Sequence, residues 1–162
     1  MASSDRIENA RGESPLLRVD DLRVQFSTTD GTVNAVNGVS FDVASGECVG
    51  VVGESGSGKS QVMFAAMRLL AENGKASGEV LFDGQKLFTA SSKAMRSLRG
   101  NRIGIIFQDP MTALTPHLRI GDQLAEVLVQ HRNVSRAEAL AASQEALRKV
   151  GISAPEIGRA HV

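Results

Sequence analysis

Gly53-Glu54-Ser55-Gly56-Ser57-Gly58-Lys59-Ser60 satisfies the spacing G-x-x-x-x-G-K-[ST], and that spacing is chemistry for a polyphosphate. Small residues let the backbone curl until successive N–H groups point inward. A helix beginning at the end of the loop then turns its positive N-terminal end on the same anion. Lys59 is placed to reach β- and γ-phosphates, and the Ser60 hydroxyl to ligate a Mg2+ ion that bridges the same oxygens. The bland alternative is a chance Gly/Ser loop, which the flanking elements argue against.

The second candidate is Gln108, in Phe107-Gln108-Asp109-Pro110-Met111-Thr112-Ala113-Leu114-Thr115-Pro116. It follows an apolar run, so it is expected at a strand's end, where open α/β sheets place ligand contacts. Its amide carbonyl can coordinate Mg2+ or orient an attacking water, and a loop starting there can report nucleotide state to what lies beyond. A turn glutamine ahead of Asp109-Pro110 is the other reading.

The elements that must position these residues can be read from pattern. Leu16 to Phe26 is rich in β-formers, Thr28-Thr29-Asp30-Gly31 supplies turn chemistry, and a second run extends from Thr32 through Val43, which predicts an antiparallel hairpin. Cys48 to Val52 is a short continuous apolar run, the signature of a strand buried on both faces. The glycine-rich loop follows at once. Beyond it, Val62, Ala65, Ala66, Leu69 and Leu70 keep helical spacing over Ser60 to Ala71, until Asn73-Gly74 stops the run. Ser77 to Gly84 predicts a strand closed by an Asp-Gly turn, a polar helical stretch lies near Ser92 to Leu98, and Ile103 to Phe107 is a second buried-type strand. Ile120, Leu124, Val127 and Leu128 predict one helix. Another begins at Ser135, whose capping-box partner is Glu138, and runs through Val150 to an αL cap at Gly151.

Composition limits the function classes. The 162 residues carry 18 basic and 18 acidic side chains, with 42% hydrophobic content, which fits one folding domain rather than two. The balanced charge disfavours nucleic acid as a partner. Cys48 is the only cysteine, and His117, His131 and His161 are scattered, so neither an internal disulfide nor a zinc spacing is available and a reducing compartment is implied. Cys48 reads as a buried strand residue, and His117 and His131 as solvated or capping side chains. Residues 1–14 read as a polar, disordered leader without the apolar core of a signal peptide, and no apolar run approaches the roughly 20 residues that span a bilayer.

With GESGSGKS, FQDPMTALTP and the lead-in NAVNGVSFDVASGE, the sequence resembles the N-terminal portion of the ATP-binding subunit of an ABC transporter. Within that family it is similar to the subfamily that powers bacterial dipeptide, oligopeptide and nickel import. The resemblance runs from Leu16 to about Ile152. It implies an incomplete α/β P-loop NTPase core of the ABC ATPase type, with an antiparallel β subdomain and the start of a helical subdomain, over residues 15–155. Gly53, Glu54, Ser55, Gly56, Ser57, Gly58, Lys59 and Ser60 match the Walker A loop and Gln108 matches the Q-loop glutamine. Phe26 falls where the family sets an aromatic ring against adenine; a strand-end Phe used simply as core is the other reading.

The resemblance also implies function. ATP and Mg2+ are the expected ligands, with Lys59 and Gln108 in catalytic roles and Ser60 and Gln108 at the metal. ATP hydrolysis would drive transport of a peptide or nickel complex, received from a periplasmic or extracellular binding protein that acts indirectly. The implied partners are ABC permease transmembrane subunits and a second ATP-binding subunit, identical or not, at the cytoplasmic face of the bacterial inner membrane. Met111 to Ile120 would lie near a coupling helix of the permease, unless it is a loop leading into a core helix. Two further functions compete: a soluble ABC-type ATPase of DNA repair or translation, and a short protein that binds nucleotide without hydrolysing it.

The family pattern continues with an LSGGQ-like signature, a Walker B strand ending in Asp-Glu, a D-loop and a switch histidine, none of which occurs in this sequence. Val80-Leu81-Phe82-Asp83 imitates Walker B but runs into Gly84, and in Ile105 to Asp109 the polar Gln108 displaces the acid. The chain alone is therefore expected not to hydrolyse ATP. Glu156 to Val162 departs from the family and can be encoded by GAG ATC GGA AGA GCA CAC GTC, which resembles a sequencing adapter. A non-native tail is expected there, with a natural gene continuing past about Pro155. The strands expected at Cys48 to Val52 and Ile103 to Phe107 would lack flanking strands, and a poorly soluble product follows.

Overall fold

A computed structural model describes residues 14–109 and 113–153. The leader, apart from Ser14, and the seven-residue tail discussed above lie outside the described residues, as do 110–112. The chain divides into two compact units, residues 1–95 and 96–162, and each is described by itself.

The first unit is built on a four-stranded antiparallel sheet of order β2-β1-β3-β4. The expected hairpin is there: β1 (Leu17–Thr28) pairs with β2 (Gly31–Val43) across Thr29-Asp30. Thr28 Oγ1 donates to the Gly31 carbonyl at 2.8 Å, closing the turn with a side chain. β3 (Gly74–Phe82) takes the other edge of β1, and Asp83 and Gly84, both at positive φ, turn it into the short β4 (Gln85–Lys86). Positive φ at both central residues suits the strand twist of a two-residue hairpin. The Val80 to Asp83 segment is thus the end of an interior strand and the start of its turn.

An irregularity in β1 decides which residues face the core. Val19, Leu22 and Val24 are all buried, a spacing that strict alternation forbids. The ladder to β2 slips between Val19 and Leu22, and the ladder to β3 between Asp20 and Arg23. Asp21 sits there at φ 44°, the mark of a bulge that re-aims the strand by one residue. The flanking strands make room with glycine: a Cβ at Gly78 would come within 2.4 Å of the Asp21 carbonyl oxygen, and Gly78 itself is at φ +97°.

Helix α1 (Lys59–Ala66) packs on β1 and β2, burying Val62, Ala65 and Ala66 with the sheet residues Val19, Leu22, Val24, Val36 and Val80. It stops earlier than the apolar spacing suggests. Arg68 takes the left-handed conformation at φ 53°, its N–H bonding Ala65 O while the Leu69 N–H bonds Phe64 O. This is a Schellman ending with arginine in the usual glycine position. The Arg68 guanidinium donates to the Ala90 carbonyl at 2.6 Å, fixing the turn from outside. Helix α2 covers Ser92–Leu98 as expected.

In the second unit, α3 (Ile120–Arg132) and α4 (Arg136–Lys149) form a helical hairpin. Asn133, left-handed at φ 56°, ends α3. The capping box read from the sequence is formed: the Glu138 N–H donates to Ser135 Oγ, and Glu138 Oε2 accepts from the Ser135 N–H at 2.9 Å. At the far end Gly151, at φ +85°, completes a Schellman motif with Ile152 N–H on Leu147 O. Ala125, Ala139 and Ser143 are buried, and Ser143 Oγ donates to Ala139 O at 2.7 Å.

Two expectations are corrected. Neither Cys48 to Val52 nor Ile103 to Phe107 forms a strand; Ile103 makes only an isolated bridge with Arg99. A buried parallel strand needs hydrogen-bonded neighbours on both edges and cover on both faces. Among the described residues neither run joins a strand ladder, and Val52 is 92% and Ile106 97% exposed. Cys48, read as buried, is exposed as well.

Candidate functional site

The glycine-rich loop leads directly into α1. Gly58 is the N-cap, at φ 89°, and supplies no side-chain acceptor to the first turn, which contains no acidic residue. The free N-terminal end of α1 therefore meets no competing negative charge from its own side chains, the condition for receiving an anion. Gly58 cannot be replaced without movement: a Cβ there would lie 2.2 Å from the Ala35 carbonyl oxygen of β2. That close approach seats the loop against the hairpin, so the sheet fixes where the loop points.

Lys59 folds back over its own loop. Its Nζ donates to the carbonyls of Gly53 at 2.8 Å and Glu54 at 2.6 Å, and lies 3.4 Å from Ser57 Oγ. The ammonium is thereby held above the loop rather than swept into solvent. Ser60, in the first turn of α1, keeps an exposed side chain.

Beside the loop lies a cleft of about 320 Å3 lined by Phe26, Ala35, Gly56, Ser57, Gly58, Lys59, Ser60 and Gln61. Phe26, near the end of β1, thus shares a cavity with the phosphate-type loop, although some thirty residues of sequence separate them. Its ring packs over Gly74, where a Cβ would come within 2.7 Å of Phe26 Cε1. The Ser27 N–H donates to Asn73 O at 3.0 Å and Asn73 Nδ2 to Ser27 O at 2.9 Å, pinning the strand end that carries the ring. The cleft thus brings an aromatic side chain, a helix N-terminus and a lysine into one lining.

The curated ABC transporter family model matches residues 36–160. The chain belongs to the ABC transporter family. It is 51% identical over 135 residues to the oligopeptide transport ATP-binding protein OppD of Escherichia coli, across 83% of this chain and 40% of that protein. With OppD of Bacillus subtilis it shares 45% identity over 143 residues, 87% of this chain and 40% of the relative. This ABC chain therefore spans about 40% of the length of these relatives. Among solved structures it resembles a dimeric, post-hydrolysis ATP-binding cassette bound to ADP and Pi, at TM-score 0.68 and 24% identity, covering 82% of this chain and 56% of that one. A likeness at that identity is one of fold, and the fold is the incomplete ABC ATPase core expected from the sequence.

Gln108 belongs to the second unit and does not line this cleft. It is exposed and lies in a bend, not at the end of a strand, since the expected strand before it is not formed. Of the segment Met111 to Ile120, Met111 and Thr112 lie outside the described residues, Thr115 to Leu118 form a turn and Ile120 opens α3. His117 is exposed, and His131, in the last turn of α3, is half-buried beside Gly100. Sequence reasoning missed Ala35 and Gln61 as walls of the cleft. Gln61 follows the motif directly and its neighbourhood was legible; Ala35 acts through a backbone carbonyl, which no residue type announces.

Proposed function

We propose that this ABC chain is the Mg-ATP-binding part of the energy-coupling subunit of a peptide importer. The observation that carries the reading is the shared cleft, lined by both Phe26 and Gly56 to Gln61. In this reading Phe26 stacks on adenine, and the loop N–H groups from Gly53 to Gly58 and the α1 N-terminus hold the phosphates. Lys59 leaves part of its contact with Gly53 and Glu54 to reach the β- and γ-oxygens. Ser60 Oγ would hold Mg2+, which would supply charge neutralisation at the phosphates, and Gln108, from its place in the sequence motif, would offer its side-chain carbonyl to the same ion.

Gln108 has the further role of orienting the attacking water, and the loop after it carries nucleotide state onward. The general base is not among these residues, so this chain's own share of ATP hydrolysis is binding and positioning. The OppD relatives, named for oligopeptide transport, support peptide over a nickel complex as cargo. The dimeric cassette of similar fold supports pairing with a second ATP-binding subunit, and the transport function of the relatives supports a permease partner at the cytoplasmic face of the inner membrane. No described helix is long and apolar enough to cross a membrane.

The test is binding of a fluorescent ATP analogue with and without Mg2+. Wild type is expected to bind more tightly with the metal, and Ser60→Ala to lose most of that gain while still binding metal-free nucleotide. Equal metal enhancement in the two proteins would remove Ser60 from the metal site.

A further inference from the structure

Gln123, in the first turns of α3, has a side chain that the nucleotide site does not use. Its Oε1 accepts from the Thr115 N–H at 2.8 Å, and its Nε2 donates to the Thr115 carbonyl at 3.0 Å and to the Leu118 carbonyl at 3.2 Å. One carboxamide thus reads both polar groups of the Thr115 backbone, as a neighbouring strand would, and then the far end of the same turn. The Leu118 N–H closes that turn on Thr115 O at 3.1 Å. Only a side chain with a donor and an acceptor on one planar group can do this, and the reversed amide would set like against like at Thr115. Both Thr115 and Gln123 are half-buried, which strengthens the bonds by limiting competition from water.

We propose that Gln123 is a positioning residue that straps the Thr115–Leu118 turn to α3, so that this turn and the helix move as one body. The turn runs through Arg119 into the helix, and Arg119 offers no side-chain cap of its own; the strap does the work of holding the junction. Asp122, the neighbour of Gln123, accepts from the Arg136 guanidinium at 2.7 Å, which continues the connection from α3 to the start of α4. The coupling part of the inference rests on Gln108 responding to nucleotide. The strap itself does not.

Amide exchange and side-chain amide resonances of the 15N-labelled full chain test both. In wild type the Thr115 amide and both Gln123 Nε2 protons are expected to exchange slowly. Gln123→Ala should speed Thr115 exchange about tenfold, the equivalent of one net hydrogen bond, with the later α3 amides unchanged. Gln123→Glu should keep Thr115 protected, because a carboxylate still accepts from its N–H, while the bonds to the two carbonyls are lost. Thr115 exchange equal in wild type and Gln123→Ala would overturn the strap. With MgATP, wild-type resonances of the turn and α3 should shift together, and in Gln123→Ala the turn should respond without the helix. If Gly53 to Ser60 respond but the turn and α3 are unlinked in wild type, the coupling is wrong; if Gly53 to Ser60 are silent, the nucleotide reading fails and the strap stands or falls on the exchange data alone.

Discussion

At Gly58 a positive φ coincides with a backbone oxygen 2.2 Å from where a Cβ would stand. Gly58→Ala therefore combines left-handed strain of roughly 1–2 kcal/mol with a clash that shifts the loop off β2. The expected outcome is loss of nucleotide binding with the sheet intact, checked by binding titration beside far-UV circular dichroism. Phe26 makes a finer test. Aromatic stacking of about 1 kcal/mol means that Phe26→Ala should weaken ATP by roughly fivefold and leave inorganic triphosphate unaffected, measured by competition against a fluorescent nucleotide. Equal weakening of both would return Phe26 to the core. The loop was legible because its chemistry is local, set by spacing within a few residues. Ala35 was not, since its part is a carbonyl brought in by the hairpin.

Element by element, ends that rest on side-chain chemistry were legible and ends that rest on distant support were not. Ser135 and Glu138 announced α4, and the structure forms their capping box. Arg68 announced nothing: a non-glycine Schellman ending depends on the Ala90 carbonyl that receives its guanidinium. The bulge at Asp21 left a trace in the three-residue step from Val19 to Leu22, but only pairing with both neighbours makes it necessary. The capping box also carries a pH dependence. The Ser135 hydroxyl, and then its backbone N–H, hold the Glu138 carboxyl below its usual 4.5. A depressed acid contributes stability above its unfolded value and loses it as pH falls through the folded one. Helicity at the start of α4 should therefore fade as pH drops below 4.5, and Glu138→Gln should flatten that response, followed by amide exchange of Ala139 and its neighbours.

For the molecule as a whole, the sheet unit has a core of its own while the two β-type runs do not join one. Leu22, fully buried at 0% exposure, sits at the centre of the first unit; Leu22→Ala should cost about 2–5 kcal/mol, read as a lower urea midpoint. Val49, Val51 and Val52 are exposed in the first unit and Ile106 and Phe107 in the second, apolar side chains of the kind that drive association. Val52→Lys with Ile106→Lys should raise the soluble yield of the chain severalfold without changing the urea midpoint of the sheet. The apolar pattern predicted strands in these two runs and the structure forms none, because a parallel strand is a property of its neighbours and pattern alone does not supply them.

The most direct measurement is calorimetric titration of MgATP into the purified chain, wild type against Lys59→Ala, with circular dichroism to show that both are folded. Saturable binding by wild type, weakened at least about thirtyfold in the variant through loss of a charge-assisted contact of roughly 2 kcal/mol or more, is the result expected of a nucleotide site built on this loop. Folded wild type that binds no nucleotide, or binding that survives Lys59→Ala unchanged, would contradict it.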